Sequence, residues 1–178
     1  YDPKGQIVQT DGQYYQEDLR QLLRAAGLSN NSRLLPPNGE SSRWSILGDP
    51  TEAALKVVAG KAGIDLETEE KLLPRWREIP FDSRRKRMST VHMQSSQKSE
   101  MLVFTKGAPK EVLDLCTHIQ RNGDESGLDA NGRAEIMSAN DDYARNGLRV
   151  LAVAYKGISV SSSTSLDAET VEKELRSE

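Results

Sequence analysis

The stretch "MLVFTKGAPKEVLDLC", residues 101–116, places a lysine where a strand pattern meets a helix pattern. Met101, Leu102, Val103 and Phe104 form a short apolar run with a β-branched and an aromatic member, which reads as a strand ending at Thr105. Gly107 suits a sharp turn, and Pro109 has its φ preset for the first turn of a helix, where its missing amide hydrogen costs nothing. Lys106 then stands beside a helix N-terminus, where free backbone amides and a cation can together face an anion. A solvated lysine at a strand end accounts for the same residues, since lysine is mostly exposed. A second cluster, Arg84-Arg85-Lys86-Arg87, follows a turn at Asp82-Ser83. It reads either as a nucleic-acid or nuclear-localisation patch or as a charged strand edge that resists aggregation. In "GDPTEAAL", residues 48–55, Asp49 is a good N-cap, Pro50 suits the first helical position, and Glu52 falls where a capping-box carboxylate reaches back.

Other chemistries lack their residues. Gly60-Lys61 is followed by alanine and has no first glycine, which excludes a P-loop, and no dinucleotide fingerprint, nucleophile elbow or paired-carboxylate pattern stands out. His92 and His118 are lone histidines without metal-ligand spacing, so each reads as an ordinary packed or surface residue. Cys116, the single cysteine, excludes an internal disulfide and is expected to be buried. No catalytic or metal-ligating group is expected.

The elements that must position these residues follow from turn signals and periodicity. Residues 6–9 look like a short hairpin or irregular strand entry. A helix is expected over 17–28, with Leu19, Leu22, Leu23 and Ala26 on one side and Gly27 as terminator, followed by a surface loop over 29–43. Then come a strand at 44–47, a helix from Pro50 and a short helix over 66–73. Strands around Trp76–Phe81, Met88–Met93 and Met101–Thr105 lie close together in sequence, which favours antiparallel pairing. The helix from Pro109 is expected to carry Val112, Leu115, Cys116 and Ile119 on its inner face, and 121–132 to be turn-rich. A helix over 133–145 ends at Gly147, and "LRVLAVAY", 148–155, is the clearest buried strand. Residues 159–165 form a serine-rich linker, and 167–178 read as solvated or mobile.

The chain has 178 residues, 36% hydrophobic and 29% charged, with net charge −3, which fits a globular domain and argues against nonspecific nucleic-acid binding. No apolar run approaches a membrane span. A start at Tyr1 without methionine and an acidic end suggest a piece of a longer protein.

Four separated stretches, "GDPTEAAL", "PFDSRRKRMSTV", "FTKGAPKEVLDLCTHI" and "NGLRVLAVAY", together resemble the nucleotide-binding domain of type II P-type cation-transporting ATPases, the group of calcium pumps and their bacterial relatives. The resemblance covers roughly residues 14–156. It implies an α+β fold, a twisted antiparallel sheet flanked by helix pairs, with 1–158 as the ATP-binding domain and 159–178 leading toward a phosphorylation domain. It further implies that Lys106 lies in the adenosine pocket, that Gly107 lets the base approach, and that Phe81 stacks on adenine. Glu52 would bind near the purine amino group, Lys86 and Arg85 near the base and phosphates, and Arg149 on phosphate, with Met88 and Leu151 as apolar walls. Lys110 stands where the family usually has glutamate, which should weaken the helix start slightly.

The family's phosphorylated aspartate, its magnesium-binding motifs and its membrane helices have no counterpart in these residues. The fragment is therefore expected to be a soluble monomer that binds ATP without hydrolysing it. Mg²⁺, the phosphorylation and actuator domains and the transported cation would belong to a full-length membrane pump with this domain in the cytoplasm. Calcium is the expected ion, with manganese, sodium or another cation open. A noncatalytic interaction module of the same fold, without nucleotide, is the alternative.

Overall fold

The computed structural model describes residues 1–7, 16–38, 42–94, 97–159, 166–173 and 175–177. Residues 8 and 9 of the expected hairpin at 6–9 lie outside them, and Ile7 packs against Leu23, Ala59 and Ile64. Helix α1 spans Gln16–Leu28 and buries Leu23, Ala25, Ala26 and Leu28. Gly27 does not end it but sits within its last turn, where an added Cβ would lie 2.5 Å from Leu66 Cδ2. The small residue therefore sets how closely the next helical layer approaches.

The expected surface loop is more ordered than its polar composition suggested. It contains β1 (Arg33–Leu35), which pairs antiparallel with β2 (Ser45–Leu47). Ser29, Asn30 and Ser32 are buried, because their polar groups find internal partners. Ser29 Oγ donates to the Ala25 carbonyl at 2.8 Å, and Ser32 donates from both N and Oγ to Asn30 Oδ1 at 2.9 and 2.6 Å.

Helix α2 (Pro50–Lys61) starts as its sequence requires, with the Asp49 carboxylate accepting from the amides of Thr51 and Glu52. Asp65 caps α3 (Leu66–Leu72) in the same way. Strands β3 (Arg75–Asp82), β4 (Arg87–Gln94) and β5 (Gln97–Gly107) pair antiparallel in succession, as their proximity in sequence predicted. β5 starts earlier than expected, at Gln97 rather than Met101.

The largest departure follows Pro109. Helix α4 (Pro109–Leu113) is only five residues long, and Cys116–Arg121 forms strand β6 instead of continuing it. β6 turns through Asn122 and Gly123, both at positive φ (59° and 81°), into β7 (Asp124–Gly127). Asn-Gly is the preferred pair for such a two-residue hairpin turn.

Helix α5 (Ala130–Arg145) ends at Gly147, which has φ 76°, and β8 (Ala152–Ser159) begins four residues later than the apolar run "LRVLAVAY" suggested. The C-terminal residues, expected to be solvated, form α6 (Ala168–Val171) and β9 (Leu175–Ser177), and Leu166, Val171 and Leu175 are buried.

Among the described residues the main sheet has the order β3-β4-β5-β8-β9-β6-β7, antiparallel except for the β6–β9 pair. Alternation along its strands feeds several cores. Phe104 and Val153 pack under Ala25 and Leu28 of α1, while Val91 and Val103 pack under Leu166 and Val171. Cys116, Ala154 and Leu175 join Val112 and Leu113, with Ile136 and Met137 of α5 against them. The expected α+β class, with helices against a mostly antiparallel sheet, is the one observed.

Candidate functional site

A cleft of about 830 Å³ opens where β3 turns into β4 and β5 leaves for α4. Its floor includes a cross-strand pair, since Met88 of β4 pairs with Lys106 of β5. Lys106 is 5% exposed, so the solvated-lysine reading does not hold. Its Nζ donates to Glu52 Oε1 at 2.7 Å. Burial pushes the Lys106 ammonium below its ordinary pKa, against the opposing pull of Glu52.

Glu52 does not reach back to its own N-cap. Beyond Lys106 it accepts from the Asn31 amide at 2.9 Å, so its carboxylate spans α2, β5 and the segment before β1. Asn31 is in turn fixed by Arg75, whose Nη1 donates to Asn31 Oδ1 at 2.6 Å and whose Nη2 donates to the carbonyls of Leu28 and Asn30. One arginine of β3 thus anchors both the end of α1 and the segment behind the cleft.

The rim is chemically mixed. Phe81, near the end of β3, is 63% exposed and offers an open ring face to the cleft. Lys86 lies in the β3–β4 turn with φ 51°, and its Nζ donates to Glu111 Oε1 at 2.6 Å. This hydrogen bond is the main reason the Glu111 carboxyl lies below its usual pKa. The pair is exposed, so an incoming anion can compete for the lysine. Arg149 approaches from the segment before β8, and its Nη1 donates to Thr51 Oγ1 at 3.1 Å. Leu151 adds an apolar wall. The Asp49 carboxyl is held below its ordinary pKa chiefly by the Glu52 amide.

Gly107 is explained by its immediate neighbours. An added Cβ would lie 2.4 Å from the Lys86 carbonyl oxygen and 2.5 Å from Arg87 Cβ. Ala108 N also donates to that carbonyl at 3.0 Å, so the end of β5 is tied to the turn carrying Lys86. Gly107→Ala is expected to cost about 2 kcal/mol through this overlap with backbone, measured by urea unfolding. A stability unchanged from wild type would show that the approach can relax.

Eight of the nine residues singled out in the sequence line this one cleft: Glu52, Phe81, Lys86 and Met88 with Lys106, Gly107, Arg149 and Leu151. Arg85 does not. From the β3–β4 turn its guanidinium points away from the cleft, to Glu172 and the Pro80 carbonyl. Sequence reasoning missed Asn31, Thr51 and Glu78, which also line the cleft. Thr51 was within reach of inference from its place beside Asp49, whereas Asn31 and Glu78 are brought in by hydrogen bonds to Glu52, to Arg75 and to each other. The volume falls within the range of small-molecule sites. An exposed aromatic face, apolar walls and two rim cations suit a ligand with a planar ring and an anionic tail.

Among the described residues there is no cluster of metal-ligating side chains, and no helix long and apolar enough to cross a membrane. A family model described as P-type ATPase, cytoplasmic domain N, matches residues 18–177. The chain is 40% identical over 135 residues to a probable cation-transporting ATPase F of Mycobacterium tuberculosis, covering 75% of this chain and 14% of that protein. It is 32% identical over 178 residues to a calcium-transporting ATPase of Bacillus subtilis, covering 98% of this chain and 19% of that protein. A calcium-transporting ATPase 1 of Lactococcus lactis is 34% identical over 144 residues, or 81% of this chain and 15% of its own length. The chain thus spans less than a fifth of the length of these relatives. With the matched region running through nearly every described strand and helix, the chain belongs to the cytoplasmic N-domain family of P-type cation-transporting ATPases.

Proposed function

We propose that this domain holds ATP by its adenosine end, so that a whole pump can deliver the γ-phosphate to an aspartate of a separate phosphorylation domain. The observation that carries the reading is the convergence of Phe81, Lys86, Lys106 and Arg149, from distant parts of the sequence, on one cleft. Phe81 supplies a face on which adenine stacks. Met88 and Leu151 exclude water around it, and Glu52, held by Lys106, offers an acceptor to the purine amino group. Lys86 and Arg149 take the anionic end with charge-assisted hydrogen bonds. The chain's own residues supply binding and orientation, and the transfer gains its rate from proximity when domains close.

On this reading the isolated domain is a monomer that binds ATP and does not hydrolyse it. Mg²⁺ arrives with the triphosphate in the full-length pump, and the C-terminal segment leads toward the phosphorylation domain. That pump is an integral membrane protein with this domain on the cytoplasmic side, alongside an actuator domain. The names of the Bacillus and Lactococcus relatives make calcium the proposed ion. Nucleic acid is not a proposed ligand, because Arg85 and Arg87 of the basic run both pair with Glu172.

The test is titration of the 178-residue chain with ATP, ADP, AMP and GTP, followed by amide NMR shifts. Shifts clustered around Phe81, Lys106 and Arg149, with preference for adenine, are expected. Base stacking on an aromatic is worth about 1–3 kcal/mol, so Phe81→Ala should weaken ATP roughly 5- to 150-fold. An unmoved spectrum at millimolar nucleotide would replace this reading with that of an interaction module.

A further inference from the structure

Residues 85–89 have two chemically different faces. Arg85 Nη1 and Ser89 Oγ donate to Glu172 Oε1 at 2.5 and 2.8 Å, and Arg87 Nε donates to Glu172 Oε2 at 2.8 Å. Lys86 and Met88, the intervening residues, line the cleft on the other side. Along β4, Arg87 and Ser89 face Glu172 while Met88 between them faces the cleft, so a slip by one residue would exchange these faces, and Arg85 and Lys86 in the adjoining turn divide in the same way. Glu172 is 2% exposed, and a carboxylate so deeply buried is tolerated only with donors around it. It is itself held from behind, since Lys156 Nζ donates to the carbonyls of Thr170 and Lys173 at the end of α6.

We infer that Glu172 is a positioning residue for the cleft: by gripping Arg85, Arg87 and Ser89 it fixes which face of this segment carries Lys86 and Met88 toward the ligand. Nothing in its own position touches the cleft, so it acts through the strand. The left-handed φ of Lys86 agrees with this, since a non-glycine residue holds that conformation only where its surroundings enforce it. Docking of the C-terminal segment and the grip of the β3–β4 turn on an anion are therefore coupled. The nucleotide part of this inference rests on the proposed reading of the cleft.

The experiment uses the 178-residue chain with Glu172→Gln, Lys86→Ala and both together. ATP affinity is read by calorimetry and local opening by amide hydrogen exchange. In Glu172→Gln the amides of Lys86 and Ala108, which bond to the Asp82 carbonyl and the Lys86 carbonyl, should exchange about tenfold faster while the β5–β8 ladder keeps its protection. ATP Kd should rise about tenfold, as for loss of one hydrogen bond to a charged group, and Glu172→Gln should add little once Lys86 is alanine. Unchanged exchange at Lys86 and Ala108 overturns the inference. So does an affinity loss of equal size in both Lys86 backgrounds, which would mark general weakening of the fold. If Glu172→Gln does not fold, Arg85→Gln removes one arm of the grip and should give the same signature in smaller measure. If the wild-type chain takes up no ATP, the nucleotide reading alone fails, and the exchange result decides the positioning role.

Discussion

Lys106→Met is expected to lower stability by on the order of 3 kcal/mol, because it leaves the Glu52 carboxylate inside the fold without its cation. The two side chains are only 6% and 16% exposed and 2.7 Å apart, so solvent cannot replace the lost partner as it would at the surface. Methionine keeps the length and apolar contacts of the lysine stem, which confines the change to the charge. Urea midpoints give the loss directly. A cycle with Glu52→Gln separates the pair from its surroundings: the second substitution should recover part of the loss, since an unpaired amide costs less to bury than an unpaired carboxylate. If Lys106→Met unfolds at the wild-type midpoint, the pair is solvated in practice and the account of the cleft floor is wrong. ATP affinity should fall in the same variant, as Glu52 is no longer held toward the ligand.

Acid should begin to destabilise the fold above the range in which carboxylates titrate, and His92 is the reason. The ring is 1% exposed, with Nδ1 2.9 Å from the Leu73 carbonyl, Nε2 2.8 Å from Thr90 Oγ1, and Phe104 tilted against it at 5.2 Å. With the proton on Nδ1, Nδ1 donates to Leu73 and Nε2 accepts from the Thr90 hydroxyl, so the neutral form satisfies both nitrogens. Burial pushes the pKa down to about 4, the Leu73 carbonyl opposes this, and Arg75 and Arg24 add to it. The unfolded chain, with an ordinary histidine pKa near 6.5, binds the proton more readily. Stability is therefore intact above pH 6.5 and is lost as pH falls from 6.5 to 4, by about 3 kcal/mol in total. Asp49, Asp65, Asp82 and Glu111 also have lowered pKa values, and their contributions are lost only at the acid end of this window and below it. Unfolding midpoints at pH 7 and pH 4.5 test the size of the loss, and His92→Gln should flatten the slope between them. A wild-type midpoint independent of pH in that interval would refute the buried neutral ring.

Much of this was legible in the sequence because local signals agreed with the tertiary outcome. Asp49-Pro50 started a helix, the apolar runs from Trp76 to Thr105 gave three antiparallel strands, and Gly147 closed α5. Misreadings arose where a local pattern had two solutions. Val112, Leu115, Cys116 and Ile119 match a helical stripe, yet the chain leaves the helix after Leu113, because β9 and β7 offer Cys116–Arg121 a partner on each side. The Asn122-Gly123 turn could have signalled that hairpin. The run from Leu148 to Leu151 suggests the start of a buried strand through its three apolar residues, although Arg149, Val150 and Leu151 instead line the cleft ahead of β8.

The C-terminal segment reads as solvated because its charges outnumber its apolar residues. What composition could not reveal is that Glu172 is buried by two arginines 85 and 87 positions earlier. The chemistry of the cleft was read mainly through the family resemblance, since Lys106 considered alone was equally well a surface lysine. Its burial follows from packing that no local pattern encodes.

The position of β9 has a consequence for how the chain assembles. It is the last-made of the described strands, yet it lies inside the sheet, joined to β8 on one side and to β6 on the other. During synthesis, β3, β4, β5 and β8 can form one ladder and β6 with β7 another, each through pairings already available. The two ladders become a single sheet only when residues 175–177 emerge, so cooperativity across the whole domain is withheld until that strand is made. A ribosome that stalls before that point would leave two open sheet edges facing each other, each able to pair with the wrong chain.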